Sequence, residues 1–136
     1  MSERASELQI KLTPGPIECH DPLRIAGAGA VLTFEGIVRP HEGEREIDGL
    51  LYEVYEPMTS RELRRLAEEL MATHDIIGCF VEHSVGFVPH GECSFLLQAA
   101  AAHRPNALAF IAVFIDRMKQ HVPIWKVPQY RGTETE

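Results

Sequence analysis

The stretch "HRPNALAFIAVFIDRMKQHVP" (103–123) constrains this chain more than any other. Pro105 suits a first helical turn, where its missing N–H has no intrahelical partner to lose. Pro123 cannot continue a helix and biases Val122 away from helical angles. Between them Leu108, Ile111, Ile115, Met118 and Val122 recur at spacings of 3, 4, 3 and 4, the apolar stripe of a helix lying on a core. The run "ALAFIAVFI" (107–115) is too short to span a bilayer. The helix therefore needs a protein layer to lie on.

Strands supply that layer. "ELQIKLT" (7–13) alternates Leu8, Ile10 and Leu12 against polar neighbours and ends at "PGP". In "GAGAVLTFEGIVR" (27–39), Ala30, Leu32, Phe34 and Val38 share one face. "PHEGEREIDG" (40–49) reads as a mobile polar loop, and "LLYEVYE" (50–56) resumes strand character. "IIGCFVEHSVGFV" (76–88) and "GECSFLLQAAA" (91–101) read as strands, the first irregular at Gly86. One further helix is predicted over 59–74, with Thr59 and Glu62 as a capping box. Its apolar face is Leu63, Leu66, Ala67 and Leu70; Arg64–Glu68 and Arg65–Glu69 are i,i+4 pairs on its wet face. The order β-β-β-α-β-β-α predicts an α+β fold, with two principal helices on mainly antiparallel strands. At 136 residues, 45% of them hydrophobic, residues 1–136 are expected to form a single domain.

Composition narrows the function. The net charge is −7 and no Lys/Arg-rich run is present, which argues against nucleic acid and anionic membranes as partners. A few converging cations can still build a local pocket for a small anion. Three cysteines without a C-x-x-C give neither a disulfide framework nor a zinc site, and the histidines show no metal-ligand spacing. Residues 1–30 lack the apolar core of a signal peptide, so a cytoplasmic location is expected.

Cations stand out at three places. His103 and Arg104 lie beside the first free N–H groups of the last helix, a position that attracts phosphate or carboxylate. Lys119 lies in its last turn, where a cation gains roughly 0.3–1 kcal/mol from the helix dipole. Lys126 follows seven residues later, after a Pro-Ile-Trp segment that reads as a turn pinned by a buried Trp125. Two close ammonium groups favour the neutral amine on one of them, which makes it a better base or nucleophile. Arg39 ends a strand at the edge of the polar loop, a common position for function. For each of these a solvated surface charge is the alternative reading.

Taken together, "GAVLTFEGIVR", "YEVYEPM", "HSVGFVPHGE", "AAAAHRPNALAF" and "IDRMKQHVPIWK" resemble, in that order, the large catalytic subunit of molybdopterin synthase. The resemblance runs from about residue 27 to residue 126. It implies a β-hammerhead-like α+β fold and a role in molybdenum cofactor biosynthesis. It also implies conversion of cyclic pyranopterin monophosphate to molybdopterin by installing a dithiolene. The implied sulfur source is the C-terminal thiocarboxylate of a small ubiquitin-like partner, with no bound cofactor. The implied assembly is a homodimer at the core of a heterotetramer. Carried over, substrate binding falls on Ile37, Val38, Arg39, His103 and Arg104, and catalysis on Lys119 and Lys126.

Arg104 and Lys119 are fifteen positions apart, about 22 Å along a helix axis at 1.5 Å per residue. One small substrate that used both would need them from different subunits. The sequence also departs from the family pattern. Pro128 stands where a glutamate commonly follows the second lysine by two, Ser84 stands in place of an arginine, and the tail shrinks to "RGTETE". These departures are what favours the alternative, a dimeric module that binds the carrier or a pterin without turnover.

Overall fold

The computed structural model describes residues 7–18 and 20–132. Cys19 and the last residues of the "RGTETE" tail lie outside the described residues. Seven strands and two helices follow in the order β1 (Glu7–Pro14), β2 (Ala30–Ile37), β3 (His41–Glu42), β4 (Arg45–Val54), α1 (Met58–His74), β5 (Ile76–Pro89), β6 (Cys93–Ala101), α2 (Arg104–His121) and β7 (Ile124–Tyr130). The strands run in the order β2-β6-β5-β4-β3, with β1 also beside β5 and β7 beside β4. All pairings are antiparallel except β1–β5. The fold is α+β.

β5 joins two halves of the structure. Residues 76–83 pair with β6, and 86–89 pair with β4. The change of partner falls at Gly86, whose φ of +87° suits glycine and strains any L side chain. On one half both helices cover the sheet. Leu63, Leu66, Ala67 and Leu70 of α1 and Phe110, Phe114 and Met118 of α2 bury against Val81, Leu97 and Ala99. On the other half Val38, Ile47, Leu50, Tyr52 and Val88 make a smaller core. Ile124 packs on both clusters, and so marks the seam between them.

Several local expectations need correction. The segment 40–49 is a hairpin rather than a loop: His41 pairs with Glu46 and Glu42 with Arg45, around a two-residue turn at Gly43, φ +63°. Its polar composition masks one buried anchor, Ile47, whose N–H donates to the Pro40 carbonyl at 3.0 Å. The segment after Pro123 is a strand, not a turn, because β4 offers a pairing edge that local sequence cannot reveal. Trp125 is 61% exposed on its outer face, so it does not pin the segment.

Thr59 does not cap α1. It is fully buried one residue inside the helix, accepts from the Tyr55 N–H at 2.9 Å and donates to the Pro123 carbonyl at 2.8 Å. Glu56 instead accepts from the Ser60 N–H at 2.8 Å. Arg65 pairs with Glu62, because Glu69 is taken by Arg117 of α2; the Arg64–Glu68 pair stands, at 4.0 Å. On α2 the most buried positions are Ala107, Phe110, Phe114 and Met118, whereas Leu108 is 55% exposed. A run apolar on nearly every side does not choose its own face; the sheet beneath it does.

Candidate functional site

A cavity of about 500 Å³ opens at the seam between the two cores. Five of the residues singled out from sequence line it: Ile37, Val38, Arg39, Lys119 and Lys126. Each arrives from a different local cause. The β2–β6 register shifts between Gly36 and Ile37. Val38 then buries itself, donating to the Glu92 carbonyl at 3.0 Å and accepting from the Gly91 N–H at 2.8 Å. That fixed, buried valine leaves its neighbours Ile37 and Arg39 exposed at the cavity.

Lys119 comes from the end of α2. There the Val122 N–H closes the last turn on Met118 O at 3.0 Å, and the chain passes to extended geometry at Val122. Thr59 then holds the Pro123 carbonyl. Lys126 comes from β7, where side chains alternate between faces. Ile124 and Lys126 line the cavity, while Trp125 and Val127 are exposed and do not. Among the described residues Arg39, Lys119 and Lys126 enter no ion pair. Three unpaired cations around one concavity outnumber the one carboxylate of its lining, Glu42, and suit an anionic ligand, despite the acidic chain.

His103 and Arg104 are not in this cavity. His103 is the N-cap of α2 in extended geometry, with no side-chain cap bond, and Arg104 opens the helix; both are exposed. They sit at the opposite end of an 18-residue helix from Lys119.

The floor of the cavity holds Tyr52, Ser94 and His83, which no motif marks as functional. Tyr52 Oη lies 3.0 Å from Ser94 Oγ, and the Tyr52 ring stands edge-on to His83 at 5.0 Å. His83 Nδ1 lies 2.9 Å from the Ser84 carbonyl. Burial lowers the His83 pKa from its ordinary value, although the Ser84 bond opposes this. Burial raises the Tyr52 phenol, against its bond to Ser94 and with help from the Glu42 charge. The signal for His83 was its period-2 spacing from Cys79 and Val81, which puts all three on the core side of β5. Cys79 is buried and its thiol is pushed up to about 12 by desolvation, so it is no nucleophile. Among the described residues no group of three or more His, Cys, Asp or Glu side chains could hold a metal ion. No helix among them is long and apolar enough to cross a membrane.

Fold and cavity together define an α+β protein with a cation-rimmed pocket at the seam between its two cores. Residues 13–121 match the MoaE protein family, and the chain belongs to it. The molybdopterin synthase catalytic subunit of Oryza sativa subsp. indica is 39% identical over 114 residues, 84% of this chain and 59% of its own. That of Thermoplasma volcanium is 33% identical over 111 residues, covering 82% of this chain and 81% of its own. This chain thus spans little more than half of the rice relative, and 29% of the one from Drosophila willistoni. The crystal structure of molybdopterin synthase from Staphylococcus aureus superposes with a TM-score of 0.81 at 23% identity, over 98% of this chain and 96% of that one. The complex of subunits 1 and 2 of molybdopterin-converting factor from Helicobacter pylori gives a TM-score of 0.68 at 23% identity, over 93% and 92%. At that identity these structures speak to the fold.

Proposed function

We propose that this protein is a molybdopterin synthase catalytic subunit. In this reading it transfers sulfur from the C-terminal thiocarboxylate of a small ubiquitin-like partner to cyclic pyranopterin monophosphate, building the dithiolene of molybdopterin. The observation that carries the reading is the convergence of Arg39, Lys119 and Lys126 on one cavity. Substrate phosphate and partner thiocarboxylate are both anions, and the cavity's unpaired cations complement them.

Lys119 stabilises the charge that develops at the thiocarboxylate carbonyl, or moves a proton there. Lys126 holds the pterin and the intermediate formed from it during transfer, and Ile37, Val38 and Arg39 bind substrate along the strand end. His103 and Arg104, about 22 Å from Lys119 along α2, serve the site of a second copy in a homodimer at the core of a heterotetramer. The sulfur comes from the partner, no cofactor is resident, and the reaction is placed in the cytoplasm.

The test mixes purified protein, thiocarboxylated partner and cyclic pyranopterin monophosphate, and assays the dithiolene product. Lys119→Ala should abolish turnover with the fold intact. A protein that binds the partner or the pterin yet forms no dithiolene would instead be a binding module, the reading that Pro128 favours.

A further inference from the structure

Three buried polar side chains lie in the cavity and are not used by the cationic chemistry above. Tyr52, Ser94 and His83 are 8%, 5% and 5% exposed, and all three line it. They come from three strands, β4, β6 and β5. Tyr52 and Ser94 share one hydrogen bond at 3.0 Å, in which either hydroxyl can donate. Each hydroxyl carries one donor and two acceptor sites. The pair therefore keeps one donor and several acceptors for a third group, and it can reverse its direction to suit that group.

His83 is more constrained. A backbone carbonyl only accepts, so the 2.9 Å contact with Ser84 O puts the proton on Nδ1. A buried imidazole in that tautomer is neutral and presents Nε2 as an acceptor. Its ring is held between Tyr52 at 5.0 Å and Phe95 at 5.7 Å. A reversible hydroxyl pair with one free donor, beside a neutral imidazole that can only accept, is a poor partner for phosphate or thiocarboxylate. Together these groups suit a flat, uncharged heterocycle whose edge offers both N–H donors and ring acceptors. The rim adjoins them directly, since Tyr52 is the register partner of Lys126.

Resting on the function proposed above, we infer that Tyr52, Ser94 and His83 form a neutral hydrogen-bonding floor that reads the uncharged ring edge of the pterin while the rim cations hold its phosphate. The floor sets which heterocycle is accepted and how it is turned toward Lys126. The rim alone would accept any small phosphate.

The experiment titrates the full-length protein with cyclic pyranopterin monophosphate, and separately with inorganic phosphate read by displacement of that ligand. Wild type, Tyr52→Phe, Ser94→Ala and Arg39→Ala are compared, with thermal melting as the control for folding. Tyr52→Phe should weaken the pterin by roughly three- to tenfold, the loss of one hydrogen bond, and leave phosphate unchanged. Arg39→Ala should weaken both ligands. If Tyr52→Phe does not fold, Ser94→Ala probes the same bond from its other end. Pterin binding at wild-type strength in both floor variants overturns the floor and leaves the function standing. So does an equal loss for pterin and phosphate, which marks a structural role. A wild-type protein that binds no pterin overturns both.

Discussion

Tyr52 and Lys126 stand opposite each other across the antiparallel β4–β7 ladder. Directly opposed side chains share a face with Cβ atoms about 4.5–5.5 Å apart. The phenol and the ammonium thus enter the cavity from one rung, the buried group below and the exposed group above. β7 is the outer strand of this pair and carries Pro128 opposite Leu50. A proline is tolerated on such an edge, where its missing N–H costs no ladder bond. The Pro128 departure therefore leaves the rung that holds Lys126 intact.

That rung gives a first prediction. Lys126→Met keeps the length of the side chain and removes the charge. Dithiolene formation should fall by about 100-fold or more, the usual scale for losing one transition-state donor, with unchanged melting. Lys126→Arg should recover part of the rate. A Lys126→Met enzyme at wild-type rate would leave Lys126 as a solvated edge charge.

Thr59 gives the second. Its hydroxyl joins the Tyr55 N–H to the Pro123 carbonyl, and Pro123 lies between Lys119 and Lys126. Thr59→Val fills the same volume but strands both partners. Denaturant unfolding should show a loss of about 1–3 kcal/mol, whereas Thr59→Ser should stay near wild type. Turnover should drop in Thr59→Val even where the protein is fully folded, because the α2–β7 junction carries both lysines. Equal stability in the two variants would remove Thr59 as the tie.

Much of this arrangement could be read from the chain, for identifiable reasons. β1 and α1 show clean periods because each buries a defined face on the main core, whereas β6 is buried on both faces. Lys119 and Arg39 were visible as cations where a helix and a strand end, and Lys126 as a second cation seven residues beyond Lys119. β7 was misread because Pro123, Trp125 and Pro128 look like punctuation, and its pairing partner β4 lies some seventy residues upstream. The 40–49 hairpin was misread because only Ile47 in it is apolar and buried. The floor was invisible for another reason. Tyr52, His83 and Ser94 come from three separate strands, and no local pattern marks a buried polar residue as facing a cavity rather than a core.

His83 gives a prediction in pH. Burial holds its folded pKa below the ordinary 6.5, so on acidification the unfolded chain takes up this proton first. Wherever the unfolded state binds more protons, stability rises with pH. Wild type should therefore lose stability as pH falls below about 6.5, until the folded ring also protonates. His83→Asn should lack this component. Unfolding free energies measured from pH 7.5 to pH 5 should show a steeper fall for wild type, since the remaining histidines act in both proteins. Parallel curves would mean that His83 titrates alike in both states.

The last prediction concerns the two ends of α2. Lys119 lines the cavity, and Arg104 at the far end does not. If Arg104 serves the cavity of a second copy, Lys119→Ala and Arg104→Ala chains are each inactive alone but complement when mixed. A mixed dimer has one site with both defects and one with neither. Random exchange makes about half of the dimers mixed, so about a quarter of wild-type activity should return on a two-fold dimer. Subunits are exchanged under mild denaturant, refolded together and assayed against each variant treated alone. Failure to recover activity, with exchange verified by mass-tagged chains, would place Arg104 outside the site. Recovery in Lys119→Ala mixed with Lys126→Ala would argue against the shared cavity, because both lysines belong to one chain's site and that mixture should stay inactive.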